Sequence, residues 1–148
     1  MSAVQLEQAC PSELNPLIST LARVHRARGD EMLRPTGISA GQEQVIRHLA
    51  ARSPIPQNEI TRLLGVEPAT AARTLARMEK SGVLHRTRST QDRRVVMLEL
   101  TEQGKAICDP VADVCHALEA ETRRGISEDD LAIFTRVAQQ MTRNLERR

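Results

Sequence analysis

A chain of 148 residues with 40% apolar side chains can bury a core of its own, as one domain or one domain with appended helices, without a disulfide or metal staple. It holds one aromatic ring, Phe134, and neither Trp nor Tyr. That removes the stacking platforms that grip single-stranded nucleic acid and disfavours carbohydrate and flat-cofactor sites. The net charge is only +2, yet residues 70–94 hold seven basic and two acidic side chains, a local +5 that leaves −3 for the rest and points to a polyanion footprint.

Residues 1–11 read as a loose arm. Ser12 is placed to cap a first helix reaching about residue 32, where Leu14, Leu17, Ile18, Leu21, Val24 and Arg28 follow helical spacing. Pro35-Thr36-Gly37 breaks it. Ser39 caps a second helix to about residue 52, with Val45, Ile46 and Leu49 as its apolar face. Ser53-Pro54-Ile55-Pro56 reads as a rigid connector. A third helix covers residues 57–64, with Ile60, Leu63 and Leu64 turned inward, and Gly65 ends it in the left-handed cap that glycine adopts most cheaply. Pro68 opens a fourth helix where its missing N–H costs nothing, and Gly82 closes it. Helix, Gly-x-x and helix in that order make a helix-turn-helix.

Residues 83–88 and 95–100 alternate as two strands, with a charged loop at 89–94 between them. Thr101 caps a fifth helix that carries Ile107, Val111, Val114, Cys115 and Leu118 inward, kinks at Pro110 and closes near Gly125. Ser127-Glu128-Asp129-Asp130 opens a sixth. Its Leu131, Phe134, Ala138, Met141 and Leu145 recur at 3, 4, 3, 4, a seam suited to a partner helix. The expected fold is mainly α with a small β-wing (α+β): four helices, a two-stranded wing, then two helices. A lobe at residues 37–105 is flanked by one helical region made of residues 1–36 and 106–148.

At roughly 100° per residue, Thr70, Arg73, Thr74 and Arg77 share one polar arc of the fourth helix, opposite Ala71, Ala72, Leu75 and Met78. Arginine can grip guanine edges in two places, and threonine can bond a base or touch a thymine methyl. A solvated helix face carries the same residue types; the position after a helix-turn-helix turn is what favours base contact. Arg93 and Arg94 at the hairpin tip suit the negative potential of a narrow minor groove, and Arg86 and Arg88 suit phosphates. Asp92 is expected to hold a neighbouring arginine in a forked ion pair. A charged tip that merely keeps a sheet edge soluble is the alternative.

The stretches Asp92-x-Arg94, Leu100-Thr101-x-x-Gly104 and Leu75-x-x-Met78-Glu79-x-x-Gly82-Val83-Leu84-x-Arg86 resemble the MarR family of winged helix-turn-helix transcriptional regulators. The resemblance implies a homodimer built from the first, fifth and sixth helices. It implies recognition helices in successive major grooves of a pseudo-palindromic operator and wing arginines in the flanking minor grooves. Carried over, Arg94 is the wing arginine, Asp92 its acidic companion, and Thr70, Arg73, Thr74 and Arg77 the reading face. Glu67, before the fourth helix, departs from the family's usual small polar residue.

The same resemblance implies a small anionic effector in a cleft between dimer helices and the DNA-binding lobe, where Arg23, His25, Arg26, Arg28 and His48 are the candidates to receive it. Ordinary surface charge is the competing reading. Cys10, before the first helix, lacks the tyrosine partners of the family's oxidation-sensing branch. Cys108 and Cys115 are two turns apart, too far for a bridge within one helix. No metal-ligand spacing, glycine-rich phosphate loop or nucleophile elbow appears, so neither enzyme chemistry, nor a cofactor, nor a bound metal is expected. No apolar run nears a membrane span of about 20 residues, no secretory leader is visible, and three unframed cysteines fit a reducing cytoplasm. The sequence thus predicts a dimeric double-stranded-DNA-binding regulator, most simply a repressor released by a ligand. A redox- or metal-responsive regulator of that fold, or a winged-helix protein-interaction module, are the alternatives.

Overall fold

The structure is a computed structural model that describes residues 13–146. In chain order it contains α1 (Leu14–Leu33), a 3-10 turn (Arg34–Thr36), α2 (Ala40–Ala51), β1 (Ile55–Pro56), α3 (Gln57–Leu64), α4 (Pro68–Lys80), β2 (Leu84–Arg88), β3 (Val96–Leu100), α5 (Glu102–Ala106), α6 (Cys108–Arg123) and α7 (Glu128–Leu145). The expected Ser12 cap and the N-terminal arm lie outside the described residues.

Local chemistry accounts for most boundaries. Ser39 and Gln42 form a reciprocal capping box, with the Ser39 Oγ accepting from the Gln42 N–H at 3.3 Å and the Gln42 Oε1 accepting from the Ser39 N–H at 3.0 Å. Gly65 ends α3 at φ 61° and Gly82 follows α4 at φ 78°, both in the left-handed region. Pro68 occupies the first turn of α4, and Glu67 before it makes no side-chain cap.

The core gathers Val45, Ile46 and Leu49 of α2, Ile60 of α3, Leu75 and Met78 of α4, and Leu84 and Leu98 of the sheet, each no more than 2% exposed. Two residues expected inside are not there: Leu63 on α3 and Ala72 on α4 are exposed. Both stand at the edge of their helix's apolar arc, where a rotation of a fraction of a turn decides the side.

Two expected elements change. The connector at 53–56 supplies a third strand: β1 pairs antiparallel with β3, Ile55 opposite Leu98 and Pro56 opposite Met97, so the sheet order is β1-β3-β2. Pro56 is tolerated because β1 lies at the sheet edge. The fifth helix is two helices, interrupted at Ile107, one turn before Pro110. Proline has no N–H for the carbonyl four residues back and crowds it, so α6 restarts with Pro110 in its first turn instead of kinking around it.

Thr101 starts α5 and also locks it to the turn after α4. Its Oγ1 accepts from the Gly104 N–H at 3.0 Å, its hydroxyl donates to the Gly82 carbonyl, and its N–H donates to the Val83 carbonyl at 3.1 Å. Gly104 packs so closely on this turn that a Cβ there would sit 2.0 Å from the Val83 carbonyl oxygen.

At the other end, α1 rests on α6, where Gly29 lies against Leu118. Arg28 bonds Glu121 through Nε (3.0 Å) and Nη2 (3.0 Å), and Glu31 through Nη1 (2.7 Å). Helix α7 buries no residue, and its apolar seam, like the outer face of α1, is open in the single chain.

Candidate nucleic-acid interface

Helix α4 presents Thr70, Arg73 and Arg77 to solvent on one face, with Thr74 half-buried among them. The Arg73 Nη2 lies 3.4 Å from the Thr70 Oγ1, and the Thr74 hydroxyl donates to the Thr70 carbonyl at 3.1 Å. Thr74 therefore turns its hydroxyl proton to its own helix, while Arg73 and Arg77 keep donors free for a ligand. The opposite face of α4 packs Ala71, Leu75 and Met78 into the core, which fixes the rotation of the exposed face.

The wing tip is shaped by Ser89 and Asp92. The Ser89 Oγ accepts from the N–H groups of Gln91 (3.2 Å) and Asp92 (3.3 Å), and the Val95 N–H donates to the Asp92 carbonyl at 2.9 Å. The Asp92 carboxylate accepts from the backbone N–H of Arg94 at 2.9 Å. This corrects the forked ion pair expected of Asp92: the carboxylate folds back on the chain two residues ahead, as aspartate does in tight turns, and leaves the guanidinium groups free. Arg88, Arg93 and Arg94 are all exposed, and the Arg88 Nη1 reaches the Arg93 carbonyl at 3.4 Å.

Arg86 differs from its neighbours. Its Nη1 pairs with the Glu79 Oε2 at 3.1 Å, and its Nε is buried without a partner. Its charge is engaged in tying β2 to the end of α4, so it braces the reading helix and is poorly placed for the phosphate contact expected of it. Sequence reasoning also missed Gln57, Asn58 and Thr61. With Arg94, Val95 and the start of α4 they line a groove of about 450 Å³ between the two candidate contact surfaces. Polar residues opening a helix look like ordinary solvated positions until the sheet brings the wing root beside them.

The five effector candidates do not assemble into one anion site. His25 lines two cavities among α1, α2 and α6, and Arg26 lines the smaller of them. Arg23 and His48 line neither. Arg28 is held by Glu121 first and Glu31 second, which raise its guanidinium above the ordinary value and make it a brace between α1 and α6.

Cys108 donates to the Gly104 carbonyl at 3.4 Å. Burial pushes both the Cys108 and Cys115 thiols up, with Asp109 adding to the first and Glu43 to the second. That is opposite to the lowered pKa of a reactive cysteine. Cys10 lies outside the described residues. Among those residues no group of three His, Cys, Asp or Glu is placed to hold a metal ion, and no helix is long and apolar enough to cross a membrane.

Comparison with known proteins agrees with this geometry. Residues 38–96 match the sequence model of the MarR family. A crystal structure of MarR superposes with TM-score 0.75 at 26% identity, covering 93% of this chain and all of that one. A cysteine-to-serine mutant of MarR from E. coli, complexed with operator DNA, superposes at 0.83 with 24% identity over 91% of this chain and 96% of that one. The transcriptional regulator SlyA matches at 0.83 with 20% identity over 90% and 94%. Residues 38–96 thus carry the match to the MarR family, and the described chain as a whole shares the fold of these regulators, with the flanking helices in the same order.

Proposed function

We propose that the protein is a non-enzymatic, sequence-specific regulator of transcription that binds double-stranded DNA as a homodimer. It acts most simply as a repressor released by a small molecule bound among α1, α2 and α6. One observation carries the reading: the exposed Thr70, Arg73 and Arg77 on α4 stand beside a wing whose Arg88, Arg93 and Arg94 are also unburied. A helix of that width fits the major groove, and the basic hairpin beside it reaches the adjacent minor groove. The operator complex of the E. coli relative supports it. The open apolar faces of α1 and α7 support a two-copy assembly.

Selection of bound sites from random duplexes tests the reading. A dimer with two-fold symmetry should return a pseudo-palindrome with half-sites about one helical turn apart. Absence of any preferred site, with shallow salt dependence, refutes it.

Two substitutions divide the labour within the interface. Arg94→Ala lowers affinity for the selected site and the slope against salt while leaving the melting temperature unchanged. Equal affinity of variant and parent across a salt series would remove the wing from the mechanism. Arg73→Ala and Arg77→Ala each lose about 1–3 kcal/mol on the selected site and less on random duplex. Equal losses on both would make that arginine a phosphate contact.

A further inference from the structure

We propose that Asp30 is a positioning residue for DNA recognition. By holding the first turn of α2 from α1, it fixes the angle at which each DNA-binding lobe leaves the dimer helices, and with it the half-site spacing that two lobes can span. The inference rests on the reading above that the protein binds DNA as a homodimer.

Three consecutive residues of α1 make the junction. Arg28 bonds Glu121 on α6. Gly29 lies against Leu118 of the same helix, so closely that a Cβ would be 3.3 Å from the Leu118 Cδ2. Asp30 reaches α2 instead: its Oδ1 accepts from the backbone N–H of Ala40, the first residue of that helix, at 2.6 Å. One stretch of α1 thus grips the neighbouring dimer helix and the DNA-binding lobe at once.

The lobe follows α2. Val45, Ile46 and Leu49 on α2 are buried in the same core as Ile60 of α3, Leu75 and Met78 of α4 and Leu98 of the sheet. A tilt of α2 against α1 therefore carries the reading helix and the wing with it.

The chain between the two helices does not set that tilt. It is the 3-10 turn Arg34–Thr36 followed by Gly37 at φ 73°, where a Cβ would meet nothing within 4 Å. The Thr36 hydroxyl donates to the Leu33 carbonyl at 2.6 Å and accepts from the Ile38 N–H at 3.3 Å, bonds internal to the turn. Leu33 and Ile38 are buried beside it, but apolar contact has no preferred direction. The Asp30 bond is directional, partly buried, and joins residues ten positions apart. It also supplies what the local cap omits. The box of Ser39 and Gln42 satisfies the N–H groups of those two residues and leaves that of Ala40 to Asp30. A carboxylate at the positive end of α2 is favoured there as well.

The test compares affinities of the full chain, by anisotropy, for labelled duplexes built from the selected half-site: one half-site alone, two at the selected spacing, and two with one base pair added or removed between them. Each base pair turns one half-site against the other by about a tenth of a helical turn. Asp30→Ala should keep its affinity for the single half-site and lose about tenfold of the parent's preference for the selected spacing over the altered ones. Asp30→Asn keeps an acceptor at the same position and should retain most of that preference. Asp30→Ala also leaves the Ala40 N–H unpaired, so a second variant adds Ala40→Pro to it. Proline lacks that N–H, suits the first position of a helix, and would follow a Ser39 already extended at ψ 163°. The double variant should melt near the parent's temperature yet lose the same preference, which separates positioning from folding stability. A parent-like preference in the double variant, a parallel loss on single and paired half-sites, or a double variant that does not fold makes the bond a purely structural one and overturns the proposal. A parent that binds two half-sites no better than one overturns the homodimer reading and the proposal with it. A preferred spacing that survives in both variants overturns the proposal alone.

Discussion

Gly104→Ala is expected to remove about 3 kcal/mol or more of folding stability, seen as a lowered urea midpoint, and to abolish DNA binding in whatever remains folded. The added Cβ would lie 2.0 Å from the Val83 carbonyl oxygen and 3.1 Å from its carbon. Neither atom belongs to a side chain that can swing aside. Relief requires lifting α5 off the turn after α4, which breaks the Thr101 N–H bond to Val83 and the Thr101 hydroxyl bond to Gly82. Both bonds hold the C-terminal end of the reading helix. Gly41→Ala is the control: it sits in α2, where the nearest atom to a new Cβ is the Arg26 Nη2 at 3.5 Å, so the variant should match or slightly exceed the parent in stability. A Gly104→Ala midpoint equal to the parent's would mean that α5 is not clamped as described.

Phe134→Glu should convert the proposed dimer into a 16.5 kDa monomer in light scattering and weaken binding to the selected site by roughly 10²–10⁴-fold, because two linked half-site contacts become independent. Phe134 is 57% exposed in the single chain and Leu17 on α1 is 63% exposed. Faces of that kind on two terminal helices exceed what a monomer leaves open without a use. A charge in the seam must be desolvated in both copies at once, while the monomer loses nothing, since α7 buries no residue of its own. A dimer mass retained at micromolar concentration would place the interface elsewhere.

What the sequence made legible was set by local backbone chemistry. Ser39, Gly65, Pro68, Gly82 and Thr101 each settle a helix end through groups within a few residues, and those ends lie where the spacing predicts. The third strand was illegible because β1 is two residues long and exists only through Leu98 and Met97, some forty positions later. The Glu79–Arg86 pair is likewise a product of folding β2 against α4, which turns an apparent phosphate contact into a brace. At Asp92, sequence cannot distinguish a carboxylate aimed at a guanidinium from one aimed at the next-but-one N–H. The effector candidates were four residues of α1 and His48 of α2, whereas the cavity walls are supplied largely by other residues of α2 and by α6.

The short pairing of β1 with β3 has a mechanical meaning. The central strand of the wing is bonded on one side to the segment that enters α3 and on the other to the strand that leaves α4. The wing cannot swing without carrying the helix-turn-helix along. Each lobe is then a calliper with its jaws welded, and in the proposed dimer a ligand would act on the distance and angle between two such callipers, not on the grip of either one.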